Sequence, residues 1–390
     1  MQRIYLDNAC TTFPKPRSVA EAVYRFMTEQ GTNLSRGGYG TAYEAEEWVY
    51  QTREEIQQLF GAPSDSVTIF TRGLTESSNV VLKGLLKPGD HVLCSSMEHN
   101  AVMRPLVQLE ERGIRFSRIP SAPDGSMILS GLDELACGNT RAVILLHASN
   151  VCGTVLDVGS VGAWCRSRGI LCIADTAQSA GAVPISMEQM GIDVLLFAGH
   201  KGLFGPQGIG GFVARRSLAE RMEPLIAGGT GSVSHLETMP SFLPDRLEAG
   251  TLNIPGIAGL RAGISFVREV TPMRILEHEK HLTACFLDSV GTLCRDGLLQ
   301  TVGKPGTDGR VGVVSVTTPG RELAEVADRL DREYGIQVRV GLHCAPNAHR
   351  TLGTFPGGTI RFSFGYFNTE QETEQAAEAL RKILYGTETA

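Results

Sequence analysis

The stretch Leu195-Leu196-Phe197-Ala198-Gly199-His200-Lys201 brings one lysine to the end of an apolar strand, beside a histidine. A lysine held there is partly removed from water, which lowers its pKa and makes its amine available as a Schiff-base nucleophile. The other role open to it is that of a surface cation in a turn. A second apolar run, Ile170-Leu171-Cys172-Ile173-Ala174-Asp175, ends on a carboxylate and continues as Thr176-Ala177-Gln178. If the two strands are parallel, their ends open on one sheet edge, where α/β proteins bind ligands. Asp175 and Lys201 facing one ligand are the pair that pyridoxal 5'-phosphate requires: an amine for its carbonyl carbon and a carboxylate to keep the pyridine nitrogen protonated. Taken alone, Asp175 reads equally as a helix N-cap.

The elements that must position these residues alternate along the chain. Strand candidates are Val67-Thr68-Ile69-Phe70, His91-Val92-Leu93-Cys94, Ala142-Val143-Ile144-Leu145-Leu146, the runs ending near Asp175 and Lys201, and Ile209-Gly210-Gly211-Phe212-Val213. Their unbroken apolar character suits a sheet covered on both faces. Helical periodicity at 18–30 and 42–60 supplies covering layers, and a long helix is predicted over 257–269. The expectation is an α/β chain: a three-layer α/β/α large domain at 16–256 and a smaller α+β domain formed by 1–15 together with 257–390. Between the first strand and a helix predicted at 77–86 lies Thr71-Arg72-Gly73-Leu74-Thr75-Glu76. The free N–H groups of such a helix start favour a phosphate dianion, although the same pattern is also an ordinary cap.

Composition excludes several classes. A formal net charge of -6 without a dense Lys/Arg block argues against a nucleic-acid surface. No apolar run approaches membrane-spanning length and no leader is visible, so a cytoplasmic protein without a membrane contact is expected. Nine scattered cysteines, none in Cys-x-x-Cys, suggest neither a disulfide framework nor a metal centre. Cys94 and Cys172 sit in apolar strands as small hydrophobes. Cys344, in Arg339-Val340-Gly341-Leu342-His343-Cys344-Ala345, has loop-like surroundings instead.

Asp175-x-x-Gln178, Gly199-His200-Lys201 and the Arg339 to Ala345 segment together resemble the cysteine desulfurase and selenocysteine lyase family, a branch of the class V, fold-type I pyridoxal-phosphate enzymes. The resemblance runs from Tyr5-Leu6-Asp7-Asn8-Ala9 to Arg361 and the final helix. It implies a cofactor bonded to Lys201, with Asp175 at the ring nitrogen and His99 stacked on the ring. Thr75 and His200 fall at the phosphate, and Asn150 and Gln178 near the phenolic oxygen or the substrate carboxylate. Arg361 matches the carboxylate-binding arginine, a task that suits a bidentate guanidinium, and Arg339 is a second candidate. Thr251 matches a threonine that reaches the phosphate of a neighbouring subunit, which implies a homodimer.

The implied reaction converts L-cysteine to L-alanine and leaves the sulfur as a persulfide on Cys344, for transfer to an acceptor that a protein could provide. The 17 residues from Cys344 to Arg361 resemble the branch with a compact catalytic loop. Selenocysteine lyase is the alternative with the same residues, and a non-catalytic sulfur carrier or scaffold is another; an aminotransferase of the same fold would leave Cys344 without purpose. Three positions depart from the family. Ala198 stands where a serine is usual and Leu74 where a threonine is frequent, so a phosphate donor is lost. Cys10 stands where relatives carry alanine, and it reads either as a small buried residue or as a thiol near the substrate. The segment 232–245 is also shorter than the relatives' hairpin, which leaves the sulfur acceptor open.

Overall fold

The computed structural model describes residues 3–34 and 38–386. Its centre is a seven-stranded sheet in the order Ser66–Thr71, Gly210–Arg215, Val194–Ala198, Leu171–Asp175, Thr140–Leu146, His91–Ser95, Arg115–Ile119. Gly210–Arg215 runs antiparallel to both neighbours, and the other six strands are parallel to one another. All six therefore end on one edge.

The apolar runs are read out with a period of two, as a strand buried on both faces requires. Leu93, Val143, Leu145, Cys172, Ala174, Leu195 and Phe197 enter one core with Val49 and Ile56 of the helix Gly40–Leu59. Cys94, Ala142, Ile144, Ile173, Leu196 and Ala198 enter the opposite core with the helices Leu74–Leu85 and Asn100–Glu110. Each fully buried Leu, Ile or Phe contributes about 1.5–3 kcal/mol to folding, so the sheet is stabilised from both sides. This is the three-layer α/β/α arrangement of the fold-type I class.

Beyond it lies a four-stranded antiparallel sheet, ordered Arg339–Gly341, Thr359–Ser363, Val313–Thr317, Gln300–Val302. It packs with the helices Pro272–Ser289, Leu323–Tyr334 and Glu370–Tyr385 around Leu282, Val314, Leu330, Phe362 and Leu380. The N-terminal residues Ile4 and Leu6 are part of that core, and Ile4–Tyr5 pairs in parallel with Ile336–Gln337. The helix predicted over 257–269 spans Ile254–Val270, and its Ile254, Ile257, Leu260 and Ile264 lie in the large core beside the central sheet. The expected division after 256 falls inside this helix; we propose that the helix goes with the large unit and that the division follows Val270. No helix among the described residues is long and apolar enough to cross a membrane.

Candidate active site

A cavity of about 700 Å³ opens at the edge where the parallel strands end. Its wall includes Thr75, His99, Asn150, Asp175, Gln178, His200, Lys201, Arg339, Cys344 and Arg361, together with Cys10 and Ala198. Thr251 does not line it: it is exposed and borders an adjacent cavity that shares Arg72, Glu76 and Gly208 with the first.

Asp175 is the last residue of its strand and Lys201 follows Val194–Ala198 by three residues. Burial pushes the Asp175 carboxyl up, opposed by the Ala177 N–H at 2.8 Å and by Lys201. Burial pushes the Lys201 ammonium down, opposed chiefly by Asp175. No hydrogen bond or salt bridge holds Lys201 Nζ among the described residues. Its amine is thus inclined to be neutral and is uncommitted. The turn carrying it is tied to the N-terminal segment: Thr12 Oγ1 donates to the Lys201 carbonyl at 3.0 Å, and Lys15, pushed down to about 8 by burial, donates to the His200 carbonyl.

His99 caps the helix Asn100–Glu110, its Nδ1 accepting from Ala101 N–H at 2.9 Å, which assigns the ring proton to Nε2. Burial, then Lys201, Arg339 and Arg361, push it down to about 4. His200 is likewise pushed to about 4, by burial and by Lys201 and Lys15. Both imidazoles are therefore neutral at pH 7. The fixed positive charge of the cavity comes from its arginines Arg339 and Arg361, which suits anionic ligands.

The two guanidinium groups are held differently. Arg361 is 2 % exposed and donates to Asp7 Oδ1 at 2.6 Å and to the Asn150 carbonyl at 3.0 Å, with Nε unpartnered. Arg339 donates to Cys10 Sγ at 2.9 Å. That places Cys10 in the cavity wall against a cation.

Cys344 is exposed on the loop between Arg339–Gly341 and the short helix Pro346–Thr351. Its φ is 58° and that of His343 is 47°. Two successive non-glycine residues in the left-handed region cost on the order of 1–3 kcal/mol each and persist only when their surroundings hold them. Asn100 N–H donates to the Cys344 carbonyl at 2.8 Å, and Asn150 Nδ2 donates to the His343 carbonyl at 2.7 Å. His343 Nε2 pairs with Thr359 Oγ1 at 2.9 Å, and burial, then Arg361, pushes the ring down to about 2. The loop is thereby fixed to the large unit at the residues flanking the cavity.

The phosphate candidate lies at the start of Leu74–Leu85, three residues earlier than predicted, which puts Thr75 in the first turn. The N–H groups of a first turn have no acceptor within their helix. The loop before it lies directly on Gly210, where an added Cβ would stand 2.7 Å from Gly73 Cα. Asn150 Oδ1, His200 Nδ1 and Arg361 Nε are buried without a partner. With the uncommitted Lys201 amine they form a polar set whose chemistry fits a pyridoxal-type cofactor with its phosphate and an amino-acid carboxylate. Gln178 Nε2 donates to the Ala9 carbonyl at 2.9 Å and keeps a second N–H for an acceptor on that ligand.

Asp7, Glu98, Lys15 and His343 support this site, and the sequence assigned them no role. Asp7 lies in the segment Tyr5 to Ala9 that carried the resemblance, but its pairing with Arg361 spans 354 residues and has no local signal.

The chain matches the family model for class-V aminotransferases over residues 4–375. It is 34% identical over 386 residues to a probable cysteine desulfurase of Methanothermobacter thermautotrophicus, covering 97% of this chain and 94% of the relative. A probable cysteine desulfurase of Aeropyrum pernix is also 34% identical, over 396 residues, covering 98% and 94%. Among solved structures, the apo cysteine desulfurase of Thermococcus onnurineus NA1 superposes with a TM-score of 0.91 at 30% identity, covering 98% of this chain and 95% of that one.

Proposed function

The chain belongs to the class-V aminotransferase family, and from that premise we propose that it is a pyridoxal-phosphate-dependent cysteine desulfurase, turning L-cysteine into L-alanine and taking the sulfur onto Cys344. The observation that carries this reading is the single cavity bordered by Lys201, Asp175, Arg361 and Cys344. A plain aminotransferase has no use for the thiol. A carrier or scaffold has no use for a half-buried, uncommitted lysine beside a buried aspartate.

When bound, pyridoxal phosphate supplies an electron sink for the bonds around the substrate Cα. Lys201 would hold it through Nζ, and the same amine, whose neutral form burial favours, would take the Cα proton and later return it. Asp175 would keep the proton on the ring nitrogen, His99 would cover the ring, and His200, Thr75 and the first-turn N–H groups would hold the phosphate. Arg361 binds the substrate carboxylate, its plane set by Asp7 and the Asn150 carbonyl.

The Cys344 thiolate attacks the substrate sulfur. One S–S bond forms and the Cβ–S bond breaks, its electron pair going to carbon, which is protonated to give the methyl group of alanine. The enzyme is left with a persulfide, for a thiol acceptor supplied by another protein or a small molecule. The fixed αL conformation keeps this thiol at the cavity mouth without a mobile loop.

We further propose a homodimer. Thr251, which is exposed and outside the cavity of its own chain, would serve the phosphate of a second copy.

The test is Cys344→Ser with alanine measured directly from cysteine and from selenocysteine. The variant should keep the cofactor's visible absorbance and lose at least about a hundredfold in cysteine turnover, the order expected for a missing nucleophile. Selenocysteine turnover should fall less, because selenium leaves with less help. Alanine formation from cysteine at the wild-type rate by the variant would refute the assignment of Cys344.

A further inference from the structure

Outside the cavity, three metal-ligating side chains of the small unit converge. Helix Pro272–Ser289 carries His281 and Cys285, four residues apart and therefore on one face. The neighbouring helix Glu370–Tyr385 begins with Glu370. One ligand atom from each residue lies within 4.8 Å of the other two. Cys285 Sγ stands 3.9 Å from His281 Nε2 and 3.8 Å from Glu370 Oε1, while Nε2 and Oε1 are in direct contact. An ion pair accounts for His281 with Glu370. It does not account for the thiol turned toward both.

We propose that His281 Nε2, Cys285 Sγ and a Glu370 carboxylate oxygen form a site for a borderline-soft divalent cation, zinc by ligand type, that fastens these two helices together. A thiolate, an imidazole and a carboxylate, with water as the fourth ligand, are a donor set that zinc accepts. Zinc bonds of about 2.3 Å to sulfur and about 2.0 Å to nitrogen and oxygen put tetrahedral ligands roughly 3.3–3.6 Å apart. The two sulfur distances are within a few tenths of an ångström of that. The His281–Glu370 contact has to open, which costs little because both side chains are more than half exposed, at 55% and 56%. Asp288, one turn beyond Cys285 on the same helix, adds negative potential at the thiol. Binding forms one bond to each ligand and releases the thiol proton to solvent, with no change of oxidation state. None of the three residues lines the active-site cavity.

The experiment uses the cofactor-loaded protein, freed of metal with a chelator that is then removed, in a Cys344→Ala background so that the active-site thiol cannot contribute. Titration with zinc chloride by calorimetry should give one ion per chain and a higher melting temperature. Cobalt(II) should give a thiolate-to-metal charge-transfer band. Cys285→Ser should abolish that band, and Cys285→Ser, His281→Asn and Glu370→Gln should each weaken zinc binding by more than about tenfold and remove the thermal shift. Circular dichroism of the metal-free variants, equal to that of the parent, shows that the fold is intact. Absence of zinc binding, or binding and a cobalt band unchanged in Cys285→Ser, overturns the proposal.

Discussion

Two arginines reach the cavity, and their partners separate their tasks. Arg361 has its plane set by Asp7 and the Asn150 carbonyl and keeps one unpartnered nitrogen, so it is already oriented for a carboxylate. Arg339 instead donates to the Cys10 sulfur. Ala198 bears on the phosphate end: it closes its strand, lines the cavity and carries no hydroxyl, while His200 Nδ1 nearby in sequence lacks a partner. Ala198→Ser supplies one donor, worth about 1 kcal/mol. Its dissociation constant for pyridoxal phosphate, measured by absorbance titration, should fall by roughly fivefold. Unchanged or weaker binding would show that the position does not face the phosphate.

At the scale of elements, the apolar strands were legible because burial on both faces leaves an unbroken run of Val, Ile, Leu and Phe. The strand Arg115–Ile119 was not legible, since an edge strand with two arginines carries no such run. Glu98 shows how strand ends are tied at the site. Its Oε1 accepts from Ser95 Oγ and from Leu146 N–H at 3.0 Å, and its Oε2 has no partner. It thereby braces two strand ends next to His99. Burial pushes its pKa up to about 8, against about 4.3 in an unfolded chain. Between those values the native state keeps a proton that the unfolded chain releases. Stability therefore falls as pH rises through that window, by at most about 1.4 kcal/mol per pH unit from this group, and levels off above it. Glu98→Gln removes this contribution, so the stability of the variant relative to the parent should rise from pH 5 to pH 8 in urea unfolding. A difference independent of pH would show that Glu98 is ionised throughout.

At the scale of the molecule, one chain builds a cavity that Thr75 lines and Thr251, matched to a threonine serving a neighbouring subunit, does not. Thr251 stands exposed beside an adjoining cavity. If a second copy brings its Thr251 to this site, Thr251→Ala weakens cofactor binding at the partner's site and not at its own. Mixed dimers of Lys201→Ala with Thr251→Ala chains then contain one site with both residues intact. Mixing the two variants should restore tight cofactor binding at half of the Lys201-bearing sites or more, whereas unmixed Thr251→Ala stays weak. Failure of the mixture to regain it, with hybrid dimers verified by mass, would show that Thr251 acts within its own chain or not at all.

The sequence by itself determined which chemical groups end the strands: a lysine, an aspartate and a histidine placed by apolar runs whose burial leaves no other register. It also marked Cys344 as a loop thiol unlike Cys94 and Cys172 in their strands. The tertiary structure alone decided what those groups touch. Asp7 with Arg361, Cys10 with Arg339, and Asn150 with the His343 carbonyl pair residues 193 to 354 positions apart, and no local periodicity encodes such pairings. The same holds for the left-handed backbone at His343 and Cys344, which these distant hydrogen bonds stabilise and which neither residue type favours on its own.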